Sequence, residues 1–243
     1  DLEEIIKSVN KDLSTTVLFT NGWHLAERVE QLKKSGLDSV YVSIDEAEPE
    51  RHNTFRKKEG LFARAMEGIK KAREAGLSTG ISCCMTPEAF KDGEFEKIIE
   101  LGRDIKIHEV LFFAAVPTGR YGQRKDLIGN FGWIEEMIAS VDCYNKDSRY
   151  PGVLIYPYLS SHKSIGCSGG TCYVYISPYG DVCPCDFNHV IFGNVLEEPL
   201  YKIWDKMSSL DDFKAVKWGG CKLRDPDWQD KKTVSRQFCR YNF

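Results

Sequence analysis

The sequence predicts an α/β chain: a parallel sheet built from βα units, followed by a smaller module made of a β-hairpin and a helix. Two observations carry that reading. From residue 15 to residue 159, short apolar runs of strand type alternate with amphipathic stretches of helical period. Such alternation implies parallel strands joined by crossover helices. From residue 165 onward the alternation stops, and four cysteines fall within the twenty-one residues CSGGTCYVYISPYGDVCPCDF.

The elements follow in order. DLEEIIKSVNKDL is an amphipathic acidic helix, TTVLFTNG a strand running into a turn, HLAERVEQLKKSG a helix with a glycine stop, and SVYVSID a second strand. LFARAMEGIKKAREAG is the next helix, LSTGISCCMT a strand, GEFEKIIELGRDI a helix, HEVLFFAAV a strand, NFGWIEEMIASVDCYNK a helix and VLIYPYL a last strand. The hairpin TCYVYISPYGDVCPCDF then turns at Pro178–Asp181, and FGNVLEEPLYKIWDKM is a turn followed by an amphipathic helix. The boundary falls between Leu159 and Ile165, giving domains at 1–160 and 161–243.

Composition narrows the function. A chain of 243 residues with 42% apolar and 28% charged side chains can bury a large core. A net charge of -3, with its 33 Lys and Arg scattered, supplies no basic field for nucleic acid. No apolar run reaches a membrane span and the start lacks the pattern of a signal peptide, so a cytoplasmic protein without membrane or nucleic-acid partners is expected. Nine cysteines make an odd number for a disulfide framework, and a chain this long needs no staples; metal ligation or reduced thiols fit better.

In parallel sheets, ligands gather at the C-terminal ends of the strands. Thr20, Asn21 and Gly22, Ser43 and Asp45, Thr86, and the PTGR of Pro117–Arg120 are the polar groups there, although each also suits a simple turn or cap. The C-terminal thiols are Cys167, Cys172, Cys183, Cys185, Cys221 and Cys239. The chain contains no CxxC knuckle, which puts zinc second to an iron–sulfur cluster ligated by four thiolates. Cys183 and Cys185 share a face if their strand is regular, which keeps Cys183 as a substitute ligand, and Cys239 is a substitute for Cys221. Cys83, Cys84 and Cys143 read as small buried apolar residues. The five histidines have no ligand spacing and read as structural or exposed.

TNG, VSIDEAEPERHNTFR, LFARAMEGIKKAREAG and AAVPTGR, in this order, resemble the core of a radical S-adenosylmethionine (radical SAM) enzyme, and the C-terminal part resembles its SPASM extension in shortened, twitch-like form. Cys167, Gly180 and Cys185, with twelve and four intervening residues, carry that second likeness. The resemblance implies a partial (βα) barrel with a C-terminal cluster-binding module. It implies one auxiliary 4Fe–4S cluster on Cys167, Cys172, Cys185 and Cys221, because the second half of a full SPASM motif is missing. It also implies S-adenosylmethionine contacted by Asn21, Ser43 and Asp45, by Arg56 or Arg64, and by an adenine wall at Ala115 and Val116. Asp186, directly after a proposed ligand, is the implied catalytic base. The family chemistry is hydrogen abstraction by a 5′-deoxyadenosyl radical from a peptide, protein or small-molecule substrate, with flavodoxin or ferredoxin as electron donor. That chemistry needs a second 4Fe–4S cluster on a CxxxCxxC loop, whereas the first cysteine here is Cys83. The expectation is therefore a fragment of an enzyme. The alternative is a non-catalytic substrate- or peptide-binding module with a structural iron–sulfur or zinc site.

Overall fold

In the computed structural model, strands β1 (Val17–Thr20), β2 (Ser39–Ser43), β3 (Ser78–Met85), β4 (Glu109–Ala114) and β5 (Gly152–Ile155) lie side by side in chain order, all parallel. The structure describes residues 1–161, 163–214 and 221–227. The chain divides into two units: Asp1–Ala114 with Glu135–Ile155, and Ala115–Ile134 with the chain from Tyr156 onward.

The five-stranded sheet is the frame of the first unit. α1 (Leu2–Ser8) precedes β1, the crossovers carry α2 (Leu25–Lys34), α3 (Pro49–Arg56), α4 (Leu61–Glu74), α5 (Pro87–Lys91) and α6 (Glu94–Asp104), and α7 (Gly132–Asn145) precedes β5. Side chains alternate across a pleated strand, so Val40, Val42, Ile81, Val110 and Phe112 point to one face. There they are buried with Leu25, Val29, Ala65, Ile69, Phe95, Ile98 and Ile99 of the helices. Each large apolar side chain buried in this way contributes about 1.5–3 kcal/mol. The opposite face carries the row Phe19, Tyr41, Gly80, Glu109, matched residue for residue by the register. A Cβ at Gly80 would stand 2.5 Å from Cε1 of Tyr41, so glycine there lets the tyrosine lie across the sheet and donate its hydroxyl to Glu109 Oε1. Phe19 stacks on that ring at 5.0 Å and 12°. Two residues further toward the C-terminal ends, on the same face, are Ser43 and Ser82.

Three features differ from the sequence reading. The final strand stops at Ile155, and Tyr156–Leu159 forms a helical turn, α8, because Pro157 has no N–H for a strand ladder. Helices α3 and α5, both opened by a proline at the first turn, intervene after β2 and β3. Thr86 caps α5, its Oγ1 accepting from Ala89 N at 3.2 Å. Cys143 is exposed rather than buried.

The second unit is built on an antiparallel sheet of β6 (Tyr175–Ile176), β7 (Asp181–Cys183) and β8 (Gly193–Asn194). The turn before β7 closes through Ser177 N to Asp181 O at 2.8 Å and Gly180 N to Ser177 O at 2.9 Å. Gly180 has φ +85°, and a Cβ there would lie 2.7 Å from Asn194 Oδ1. Asn194 Nδ2 holds the turn by donating to Tyr179 O at 2.9 Å and Asp181 Oδ1 at 3.0 Å. The helices α9 (Leu200–Ser208) and α10 (Asp211–Lys214) follow, with Ile203, Met207 and Phe213 buried. No helix among the described residues is long and apolar enough to cross a membrane.

Candidate functional site: strand ends and cysteine loops

The C-terminal ends of β1, β2 and β3 bring several of the sequence candidates to one edge of the first unit. After β1, Gly22 N donates to Thr20 Oγ1 at 3.1 Å and Trp23 N to Asn21 Oδ1 at 3.0 Å, so two side-chain oxygens close this turn. Ser43 and Ser82 hydroxyls face each other at 3.3 Å. Asp45 is buried, its side chain 3% exposed, and its two oxygens are divided. Oδ2 accepts from Arg56 Nε at 2.6 Å and pairs with Nη2 at 2.5 Å, while Oδ1 accepts from Cys84 N at 3.0 Å. Asp45 thus joins β3 to α3 and engages Arg56. Arg64 stands differently: partly exposed, it lies over the Trp23 ring at 4.7 Å, donates to Trp23 O at 3.2 Å and meets Glu27 Oε1 at 2.5 Å. Breaking its ion pair with Glu27, in water, costs little.

His52 and Glu94 complete this region and were not singled out by the sequence. His52 and Arg56 are four residues apart, hence on one face of α3, and both address Asp45. The Asp45 amide donates to His52 Nδ1 at 3.3 Å, so the ring is neutral with its proton on Nε2, which is buried without a hydrogen-bond partner. Burial pushes the His52 pKa below its usual range, with the field of Arg56 adding to it against that of Asp45. The sign follows: as pH falls below about 6.5 the unfolded chain takes up a proton that the folded site refuses, so stability is lost through that window. We expect the unfolding free energy from urea titrations to fall between pH 7 and pH 5, and His52→Gln to flatten the slope. An unchanged slope in the variant would show that His52 does not carry it. Glu94, 1% exposed, accepts from the Ala47 amide through Oε1 and from Lys97 Nζ at 3.4 Å, fixing the chain just after Asp45.

In the second unit, the loop after Gly166 winds on one acceptor. The amides of Thr171, Cys172 and Tyr173 all donate to Ser168 O at 3.0 Å, and Gly170 N reaches Pro184 O at 3.2 Å, tying this loop to the Cys183–Cys185 segment. Gly170, at φ +72°, allows the close approach, since a Cβ would stand 2.5 Å from Cδ1 of Phe213. Burial raises the Cys185 thiol to about 12, with the neighbouring Cys221 adding to it, while the Phe187 and Asn188 amides aimed at its sulfur pull the other way. Burial likewise raises Cys221 to about 11, reinforced by Cys167 and opposed by the Leu223 amide and the Arg224 charge. Cys221 is therefore within electrostatic reach of both Cys185 and Cys167. Cys172 is on the same loop as Cys167 and exposed.

Cys183 is buried at the end of β7, and the chain bends at Pro184 before Cys185. Cys239 lies outside the described residues. Burial raises the pKa of Asp186 against the lowering effect of Tyr173, whose hydroxyl donates to Oδ1 at 3.5 Å. Ala115 and Val116 are buried in this unit.

No three His, Cys, Asp or Glu side chains among the described residues stand close enough together to hold a single metal ion. A cubane cluster holds its thiolates further apart than one ion does. Half-buried thiols gathered from three chain segments, with backbone amides directed at two of the sulfurs, fit such a cluster: iron would replace the protons that burial favours on Cys185 and Cys221, and the amides would stabilise sulfur charge.

Comparison with known proteins gives two family matches: the radical SAM superfamily over residues 1–102, and an iron–sulfur cluster-binding domain, SPASM, over residues 167–232. The AdoMet-dependent heme synthase of Methanosarcina barkeri is 30% identical over 233 residues, 87% of this chain and 63% of that protein. The PqqA peptide cyclase of Methylocella silvestris is 26% identical over 232 residues, 90% of this chain and 61% of that protein. Among solved structures, Streptococcus suis SuiB bound to the precursor peptide SuiA has a TM-score of 0.68 at 15% identity, over 100% of this chain and 61% of that one. The structure of anSMEcpe with bound AdoMet has a TM-score of 0.61 at 15% identity, over 91% and 71%. The chain thus spans under two thirds of the length of both curated relatives, and the two structures bear on fold alone.

Proposed function

This chain belongs to the radical SAM superfamily and carries a SPASM iron–sulfur cluster-binding domain, and from that premise we propose that it is the substrate-facing and auxiliary-cluster part of a radical SAM oxidoreductase or maturase. The observation that carries the proposal is the convergence of Cys167, Cys185 and Cys221 with the amides of Phe187, Asn188 and Leu223. Those three cysteines would hold a 4Fe–4S cluster, with Cys172 as the fourth ligand.

When bound and given one electron by a reduced catalytic cluster, AdoMet would release methionine and supply a 5′-deoxyadenosyl radical for abstraction of a substrate hydrogen atom. In this reading the residues of the chain bind and orient. Asn21 and Ser43 stand at the strand ends for the methionine and ribose portions, and Ala115 and Val116 wall the adenine. Arg64 takes the carboxylate role in preference to Arg56, because its present partner is an exposed glutamate while Arg56 is held by buried Asp45. Asp45 acts by positioning Arg56 and the Cys84 amide. Asp186, whose carboxyl burial pushes above its ordinary range, accepts a substrate proton in its ionised form. These 243 residues have no cysteine before Cys83 and so do not themselves supply a CxxxCxxC loop. The relatives divide between a tetrapyrrole-type and a peptide-type reaction by their names, so the substrate class we propose is a peptide, protein or small molecule held at the strand ends. An electron donor of flavodoxin or ferredoxin type is proposed with it.

Iron and sulfide analysis of anaerobically reconstituted protein tests this. About four iron and four sulfide are expected for the auxiliary site, lost in Cys167→Ala, Cys185→Ala and Cys221→Ala. In the whole protein, Asp186→Asn should keep that iron and slow turnover. Stoichiometric zinc, or iron unaffected by all three cysteine changes, would overturn the assignment.

A further inference from the structure

Two of the three cysteine segments of the second unit, those of Cys185 and Cys221, grip the segment that begins at Ala115. Thr118 Oγ1 donates to Phe187 O at 2.9 Å, and Phe187 is also a residue whose amide is aimed at the Cys185 sulfur. Arg224 is three residues beyond Cys221 and next to Leu223, whose amide is aimed at the Cys221 sulfur. Its side chain, in a residue 2% exposed, donates to Ala115 O through Nη2 and to Leu127 O at 3.4 Å through Nη1. The guanidinium lies over the Trp133 ring at 5.7 Å, and Gly129 N returns a bond to Arg224 O at 3.1 Å. One buried cation thus clamps the start and middle of the 115–134 segment. A buried arginine is worth its desolvation only where its donors are used, and here they go to backbone carbonyls. Thr118 N to Val116 O at 2.8 Å closes the segment into a tight turn between the two anchors.

We infer that Arg224 and Thr118 are positioning residues through which ligation of the auxiliary cluster sets the conformation of Ala115 and Val116. The cluster would have two effects: besides its own chemistry, it would order the proposed adenine wall, so AdoMet affinity would depend on cluster ligation. The physical path is short. Iron on Cys185 and Cys221 fixes their sulfurs, the amides of Phe187 and Leu223 follow the sulfurs, and the Phe187 carbonyl and the Arg224 side chain hold the wall. This inference rests on the proposed cluster and on the proposed adenine wall.

The test uses the whole protein, reconstituted anaerobically, with iron content, AdoMet affinity and hydrogen exchange of the amides in residues 115–128 measured on the same samples. Arg224→Lys keeps the charge but loses the fork that reaches two carbonyls, and Thr118→Val removes the hydroxyl at nearly constant volume. In both variants we expect full iron, exchange in 115–128 at least about tenfold faster than in the unaltered protein, and AdoMet affinity weakened by a similar factor. Full iron with unaltered exchange and affinity would overturn the inference while leaving the cluster assignment standing. Loss of iron in Arg224→Lys would also overturn it, since Arg224 would then act on ligation itself. Failure of the unaltered protein to bind iron would remove the cluster reading and this inference together.

Discussion

Arg56→Ala is expected to cost about 3–5 kcal/mol of folding stability, the range for removing one partner of a buried ion pair. The reason is what it leaves behind. Asp45 has 3% of its side chain exposed against 31% for Arg56, so deletion of the arginine strands a carboxylate in the interior with only the Cys84 amide on Oδ1. The Arg56 exposure lets water reach the vacated space and places the effect toward the lower end of the range. The reverse change should cost less. Asp45→Asn keeps an acceptor for Cys84 N and leaves Arg56 where solvent can reach it, a loss of about 1–2 kcal/mol. The double variant Asp45→Asn, Arg56→Met should be less damaging than the sum, because neither charge is then left alone. Urea unfolding read at two wavelengths checks this, with the midpoint moving and the slope constant. An Arg56→Ala midpoint within about 1 kcal/mol of the parent, or additivity in the double variant, would mean that the pair does not secure α3 to the ends of β2 and β3.

The sheet was legible because its signal is local. VLFT, SVYVS and EVLFFA alternate or run apolar over strand lengths, and the helices between them present apolar residues at helical period. The helix α3 escaped because PERHNTFR has no apolar stripe: its one buried residue is His52. Its start was nonetheless marked by Glu48, whose side chain accepts from Arg51 N at 2.9 Å, and by Pro49. The cysteine spacing pointed to the second candidate site, since ligands that serve one cluster must recur at distances a hairpin can fold together. Pro184 bends the chain between Cys183 and Cys185, a break in the strand that the spacing alone did not mark. Cys143 read as buried because it is late in a helix with apolar neighbours, yet its Sγ donates to Ser140 O at 2.8 Å on an exposed surface. Arg224 had no sequence signal at all. Its partners are backbone carbonyls about a hundred residues earlier, and a carbonyl leaves no mark on residue identity.

Gly22→Ala should destabilise the first unit by about 2–4 kcal/mol, and for two separable reasons. The backbone at Gly22 has φ +82°, a region that costs an L-residue about 1 kcal/mol. A Cβ there would also stand 2.9 Å from both Ala65 Cα and Val42 Cγ1, and overpacking of that kind adds about 1–3 kcal/mol. Ala65 Cα is helix backbone, so relief requires α4 to move away from the turn that follows β1. The same movement would pull on Asn21, whose Oδ1 holds Trp23 N, and on Arg64, which is one residue before Ala65 and rests on the Trp23 ring. The change therefore separates packing from chemistry. Ala65→Gly in the same chain should remove the Ala65 Cβ, which would stand 3.0 Å from the new methyl, but not the contacts with Ala65 Cα and Val42 Cγ1 or the strain at φ, recovering part of the loss. Thermal and urea unfolding of the two single variants and the double variant decide the matter. If Gly22→Ala unfolds with the parent, the close approach of β1, β2 and α4 is not what requires glycine there.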